Sequence, residues 1–156
     1  WIPEDMASAS IGQSVVQITP LQLARAYAVF ANGGWLVTPH LAKGEIDWMA
    51  PQHRRAVLIK PSTLETIRKG LRKVVEDGTG YGLNGPGIPP AAGKTGTAED
   101  STGGPDHAWF GCYAPYPEGK IVVVAFAQNT PGGGSVHALP MAKKVLAAWE
   151  QSRSKG

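Results

Sequence analysis

The chain has 156 residues, of which 42% are hydrophobic and 17% charged. This is the size and balance of one globular domain or a large piece of one, with enough apolar side chains for a buried core. The net charge of +3 comes from basic residues scattered along the sequence, so nucleic-acid binding is not expected. One cysteine excludes an internal disulfide, and no two of the four histidines stand four residues apart, so we expect no metal or other cofactor.

Two amphipathic helices are predicted in the first half of the chain. Thr19 is a typical N-cap and Pro20 suits the first helical position, and apolar residues follow at helical spacing until Asn32. The second helix begins near Pro61 by the same rules and ends at Asp77. Short extended segments are predicted between these helices, at residues 35–39 and 56–59.

The second half of the chain is predicted to be mostly sheet. Residues 78–93 are too rich in glycine and proline for a helix or a central strand, so they are expected to form a long loop. The turn at 115–119 suits a hairpin between two of the following strands. The predicted elements are strands at 92–98, 107–114 and 120–129, a glycine-rich hinge at 132–134, a helix at 139–150 and a frayed tail. This order predicts an α+β fold.

Two glycine motifs that bind nucleotides elsewhere fail in this context. The segment 80–85 fits G-x-G-x-x-G, but a predicted helix precedes it and three prolines follow it, whereas the dinucleotide motif needs a strand before and a helix after. Gly93, Lys94 and Thr95 resemble the end of a phosphate-binding loop, yet Ile88 stands where that loop requires glycine. Nucleotide binding is therefore not expected.

One motif is not excluded by its context: the triplet Lys94-Thr95-Gly96 on the first predicted strand of the sheet. A K-T-G triplet occurs in serine β-lactamases and penicillin-binding proteins. Alone it is a weak signal, but it continues as Thr97-Ala-Glu and is followed at 106–111 by Asp-His-Ala-Trp-Phe-Gly. Together with the stretches 10–13, 17–28 and 32–34, these motifs resemble class B penicillin-binding proteins, in particular the elongation-type penicillin-binding protein 2. The resemblance covers nearly the whole chain.

The resemblance implies a fold and a function for the parent protein. The expected fold is a β-lactamase/D,D-peptidase-like three-layer sandwich, an antiparallel sheet covered by helices, with residues 1–156 as the C-terminal part of the transpeptidase domain. The parent would be a D,D-transpeptidase that cross-links peptidoglycan stem peptides ending in D-Ala-D-Ala through a serine acyl-enzyme, and it would bind β-lactam antibiotics.

The resemblance also implies surroundings for the domain. The parent would be anchored in the cell membrane, with this domain on the extracytoplasmic side. Its expected partners are the N-terminal part of the same protein and a cell-wall glycosyltransferase of the elongation machinery.

The same resemblance assigns roles to four residues. Thr97 would offer its backbone N–H to the oxyanion, and the hydroxyls of Thr95 and Thr97 would hold the carboxylate of the substrate or β-lactam. Lys94 would supply positive charge beside the site, although a lysine on an edge strand can also serve only to block aggregation. Gly96 would let the substrate pair with the strand as if it were another strand.

Two motifs of the family are absent from this sequence. The nucleophile of the family lies in S-x-x-K, and the only match is Ser152 to Lys155, in the tail and out of order, which we interpret as coincidence. No S-x-N occurs. The chain alone is therefore expected not to complete a catalytic cycle. Since the nucleophile-bearing helix should pack on the sheet, one face of the apolar run 121–127 is expected to be bare.

Several other residues have more ordinary interpretations. Asp106 and His107 have acid/base chemistry, but structural or loop-ordering roles are favoured for them. Trp109 and Phe110 are expected to pack the sheet against helices. Three further expectations are a buried, unreactive Cys112, a Glu99 that is either at the cleft rim or solvated, and an exposed Tyr81 without an assigned role.

Alternative functions remain open at this stage. Within the superfamily these are a D,D-carboxypeptidase, a serine β-lactamase and a β-lactam sensor. From a different class comes a non-catalytic half-domain that binds peptidoglycan peptides or a partner protein.

Overall fold

The computed structural model describes residues 2–13, 17–42, 47, 50–100 and 103–154. The helices are α1 (Pro3–Ser10), α2 (Pro20–Ala31), α3 (Pro61–Glu76), α4 (Gly133–Val136) and α5 (Ala138–Arg153), with 3₁₀ turns at Pro51–His53 and Tyr81–Leu83. The strands are β1 (Trp35–Val37), β2 (Arg54–Ala56), β3 (Ala92–Ala98), β4 (His107–Ala114) and β5 (Ile121–Ala127). The predicted α+β class is confirmed.

The three long strands form one antiparallel sheet in the order β3-β4-β5. Lys94 lies opposite Gly111, and Phe110 lies between Thr95 on one side and Ala125 on the other. The predicted hairpin at 115–119 joins β4 to β5 as expected. Because side chains alternate along each strand, this register sorts the residues of the sheet onto two faces.

Helices cover both faces of the sheet. On one face Phe110 and Cys112 are fully buried with Leu139 and Leu146 of α5. On the other face Tyr113, also fully buried, packs with residues of α2. Each buried side chain of this size contributes roughly 1.5–3 kcal/mol, so this packing on both faces fixes the sheet between its helices.

The start of α2 shows why the sequence signal was reliable there. The Thr19 hydroxyl accepts a hydrogen bond from the Gln22 N–H at 3.2 Å, and the Gln22 side chain accepts one from the Thr19 N–H at 2.8 Å. This reciprocal pair satisfies two backbone donors, and Pro20 at the first position has no N–H to satisfy. The predicted second helix is confirmed as α3.

The second extended segment was predicted too late in the chain. Strand β2 covers 54–56, and its pairing with β1 ends where Ala56 lies opposite Trp35. Beyond it the Val57 N–H donates to the Gly34 carbonyl at 2.8 Å, and the Ile59 N–H donates back to the Val57 carbonyl. The chain therefore turns where an apolar strand was expected.

The ends of the chain also differ from expectation. Helix α1 lies where the sequence predicted no element, and the short helix α4 begins inside the predicted glycine hinge and extends past it. The tail was expected to fray after Glu150, but α5 continues to Arg153, whose guanidinium lies 4.7 Å from the centre of the Trp149 ring. Lys155, part of the coincidental S-x-x-K match, lies outside the described residues. Every described helix is too short or too polar to span a bilayer.

Candidate active site

An open cleft of about 670 Å³ lies beside β3. All four residues predicted for the site, Lys94, Thr95, Gly96 and Thr97, line it. The rest of the cleft is lined mostly by apolar and amide side chains. These are Ile11, Gln17, Ile18, Leu23, Tyr27, Trp109 and Phe126. The polar residues of β3 thus share the cleft with a largely apolar lining.

The outer edge of β3 has no partner strand in the described part of the chain. The Thr97 carbonyl on this edge accepts a hydrogen bond from the Gln13 side-chain amide at 3.3 Å. In a strand, the N–H and C=O of one residue point to the same side, because antiparallel pairs exchange both bonds. The Thr97 N–H therefore lies on the open edge too, next to the cleft.

Lys94 carries a positive charge at the mouth of the cleft. Its side chain is exposed, and its ammonium group donates to the Thr95 carbonyl at 2.8 Å. No carboxylate among the described residues forms an ion pair with it. The charge is thus available to an anion in the cleft.

The two threonine side chains lie on the other face of β3 from Lys94, and each meets a different loop. The Thr95 hydroxyl lies 2.7 Å from the Thr79 hydroxyl, in the loop that follows α3. The Thr97 hydroxyl lies against α4, where a Cβ added at Gly133 would come 2.5 Å from it. Neither contact was predicted from the sequence.

Glycines allow close packing around the motif. A Cβ at Gly134 would overlap the Trp109 carbonyl and lie 2.7 Å from the Gly96 carbonyl, so α4 sits directly on the backbones of β3 and β4. A Cβ at Gly111 would overlap the ring of Tyr27. Burial, and to a lesser extent the neighbouring thiol of Cys112, raises the pKa of Tyr27 far above its usual range, so this side chain is a neutral wall of the cleft.

His107 has a loop-ordering contact, in line with the role favoured for it. Its Nδ1 accepts a hydrogen bond from the Asn129 N–H at 3.2 Å, and its ring meets Phe126 edge to face at 5.8 Å. The Asp106 carbonyl likewise accepts from the Thr130 N–H at 2.8 Å. These bonds hold the turn after β5 against the start of β4. The His107 ring also lines the cleft.

The aromatic pair on β4 divides between the two faces. Phe110 packs under α5 as predicted. Trp109 points to the opposite face, where its ring lies 4.4 Å from Phe126 and lines the cleft. Strand alternation forces this separation of adjacent residues.

Three remaining expectations are settled by exposure. Cys112 is fully buried, and burial raises the pKa of its thiol to about 12, so it is the inert core residue that was predicted. Tyr81 is exposed as expected. Glu99 is exposed and does not line the cleft. The described residues contain no cluster of histidine, cysteine and carboxylate side chains able to hold a metal ion.

Comparison with known proteins identifies the family. Residues 1–147 match the model of the penicillin-binding protein transpeptidase domain. The chain belongs to this family. It is 34% identical to the peptidoglycan D,D-transpeptidase MrdA of Haemophilus influenzae over 94% of its own length, which agrees with the class B, penicillin-binding protein 2 type indicated by the motifs.

Solved structures show the same fold. Penicillin-binding protein A of Mycobacterium tuberculosis, solved as an imipenem acyl-enzyme complex, superposes with a TM-score of 0.72 at 31% identity and covers 91% of this chain. A peptidoglycan synthase complex that couples polymerization and crosslinking gives 0.79 at 39% identity and 97% coverage. The chain spans 26% of the MrdA relative, and 33% and 26% of these two structures, so it corresponds to a part of each.

Proposed function

We propose that residues 1–156 form the C-terminal portion of the transpeptidase domain of a D,D-transpeptidase that cross-links peptidoglycan stem peptides. The observation that carries this proposal is the position of the K-T-G strand. One cleft is bordered by the open backbone edge of this strand, by its two threonines, and by its lysine, which forms no ion pair with the described carboxylates.

Each group at the strand suits one need of acyl transfer. An extended peptide ending in D-Ala-D-Ala pairs with the open edge of β3, and Gly96 leaves room for its backbone. At the open edge of β3 the terminal carboxylate is approached by Lys94 from one face of the strand and by the hydroxyls of Thr95 and Thr97 from the other, because a carboxylate accepts hydrogen bonds and favours positive charge. The Thr97 N–H donates to the oxyanion that forms when the peptide carbonyl is attacked.

The nucleophile comes from another part of the parent protein. A serine hydroxyl attacks the carbonyl between the two D-alanines, the C–N bond breaks, and the terminal D-alanine leaves with a proton. An amine of a neighbouring stem peptide then attacks the serine ester, forms the cross-link and restores the serine. β-Lactams acylate the same serine because they present a reactive amide and a carboxylate to the same groups.

The surroundings of the parent follow from its substrate. Peptidoglycan is assembled outside the cytoplasm, so this domain lies on the extracytoplasmic side. A membrane anchor elsewhere in the parent keeps it there. A cell-wall glycosyltransferase supplies the strands that are cross-linked. The similarity to the synthase complex that couples polymerization and crosslinking supports this partner.

Product analysis of the purified parent protein tests the proposal. The parent is incubated with a pentapeptide ending in D-Ala-D-Ala and an amine acceptor, and products are resolved by mass spectrometry. We expect cross-linked dimer with one D-alanine released for each dimer. Release of D-alanine without dimer would make the protein a carboxypeptidase, and peptide binding without release would make it a binding module; either result contradicts transpeptidation.

A further inference from the structure

Thr79 is held firmly next to the K-T-G strand although it lies in the glycine-rich loop. The N–H groups of Gly78 and Gly80, on either side of it, both donate to the Val74 carbonyl at the end of α3, at 3.2 and 2.9 Å. A Cβ at either glycine would lie about 3 Å from Val74. The turn is thus closed on the helix, and Thr79 projects from it at a fixed place.

From that place Thr79 reaches the second residue of the motif. The two hydroxyl oxygens of Thr79 and Thr95 lie 2.7 Å apart, the usual length of an O–H···O hydrogen bond. Thr95 lines the cleft, whereas Thr79 does not. Thr79 therefore contacts a residue of the proposed site without lining the cleft itself.

The direction of this hydrogen bond decides what Thr95 can do. A hydroxyl has one proton to donate and two lone pairs, and a carboxylate can only accept. If Thr95 donated its proton to Thr79, it would have none for the substrate carboxylate. If Thr79 donates to Thr95, the Thr95 proton is free to point into the cleft, and the chain of two hydroxyls strengthens the bond to the anion.

We propose that Thr79 is a positioning residue that donates its hydroxyl proton to Thr95 and so directs the Thr95 hydroxyl at the substrate carboxylate. This inference rests on the proposed function, because it requires that Thr95 bind the carboxylate. Thr79 itself touches neither substrate nor nucleophile. A merely structural role, tying the loop to β3, is the competing explanation.

A double-mutant cycle in the full-length parent separates these explanations. The second-order rate constant of acylation by penicillin is measured for Thr79→Val, Thr79→Ser, Thr95→Val and the Thr79→Val/Thr95→Val double variant. We expect Thr79→Val to lower the rate constant about fivefold to tenfold, the loss typical of one hydrogen bond in a binding site. Thr79→Ser keeps the hydroxyl and should restore most of the rate.

The coupling free energy between Thr79 and Thr95 decides between the two explanations. Once Thr95 is valine, Thr79 has nothing to orient, so the double variant should be no slower than Thr95→Val alone. Penicillin methyl ester, which lacks the carboxylate, reacts slowly with every variant, and its rate ratio between Thr79→Val and the unsubstituted parent should be near one. The unfolding midpoint serves as the structural control and should change little.

Each possible failure has its own signature. An unchanged rate for Thr95→Val would overturn the carboxylate role in the proposed function. A slow Thr95→Val with a normal Thr79→Val would overturn only the inference about Thr79. Additive losses in the double variant, an equal loss with the methyl ester, or no rescue by Thr79→Ser would assign Thr79 a structural role and also overturn it.

Discussion

At the scale of a single residue, the proposed site depends on the charge of Lys94. Its ammonium group bonds the carbonyl of the next residue on β3 and is otherwise free of the described carboxylates. In the proposed site this cation and the Thr97 N–H belong to the same strand, so both would attract an anion bound at its edge.

Replacement of Lys94 tests this role. We expect Lys94→Ala in the full-length parent to slow acylation by a fluorescent penicillin at least about a hundredfold, the loss typical of a major electrostatic group. The fold should survive, because the side chain is exposed. Lys144→Ala removes the same charge from an exposed position on α5 and should leave the rate unchanged. Normal acylation by Lys94→Ala would show that this lysine is only a surface residue of the edge strand.

At the scale of a secondary-structure element, helix α4 connects the proposed site to the rest of the sheet. It has only four residues, and two of them, Gly133 and Gly134, are buried against β3 and β4. Gly133 has a φ of 73°, a conformation that favours glycine. The buried glycines therefore let α4 dock closely on the K-T-G strand.

Replacement of Gly134 tests this docking. Alanine would place a methyl group on the Trp109 carbonyl and near the Gly96 carbonyl, and both are backbone atoms that cannot move alone. We expect Gly134→Ala to destabilise the domain by roughly 1–3 kcal/mol and to slow acylation, measured by urea unfolding and by penicillin labelling. Gly70→Ala is the matched control in α3, where an added Cβ meets nothing within 4 Å and should be neutral or stabilising. Equal stability of both variants would contradict the docking role of α4.

The sequence predicted those elements whose signals are local. The caps of α2 and α3, the apolar run at 121–127 and the turn at 115–119 each lie within a few residues, so these two helices and the three long strands were located. The K-T-G residues were found because they are adjacent on one strand. Thr79 was missed because its contact with Thr95 spans 16 residues and leaves no periodic trace. The contact between Trp109 and Phe126 could not be predicted either, because it depends on the register between β4 and β5, which propensity does not specify.

The uncovered apolar surface is a property of the whole molecule. One face of 121–127 was expected to be bare, but α2 and α5 cover both faces, and none of these residues is exposed. Exposed apolar side chains occur elsewhere on the described chain. Leu41 and Leu58 are the most exposed, and a further group lies on or next to α1 and at the start of α2, with exposures of 58% for Ile2, 65% for Met6, 77% for Ile11 and 59% for Leu21. We expect the apolar group around α1 to be covered by another part of the protein in the intact domain.

The isolated chain should therefore self-associate. We expect light scattering of the 156-residue chain at micromolar concentration to show species larger than a monomer, because apolar groups on and next to α1 find cover in another copy. Ile11→Lys should reduce the association, whereas Leu58→Lys, at an exposed apolar residue on a separate loop, should not. A monodisperse, folded monomer would show that this surface needs no cover.

The central claim is that this chain carries the substrate-binding strand of a serine transpeptidase whose nucleophile lies elsewhere in the parent. Intact-mass spectrometry after incubation with penicillin, followed by peptide mapping, tests it most directly. We predict that the parent gains the mass of one penicillin on a serine outside residues 1–156, and that the isolated 156-residue chain gains none. A penicillin adduct on any serine within residues 1–156, in either protein, would contradict the claim.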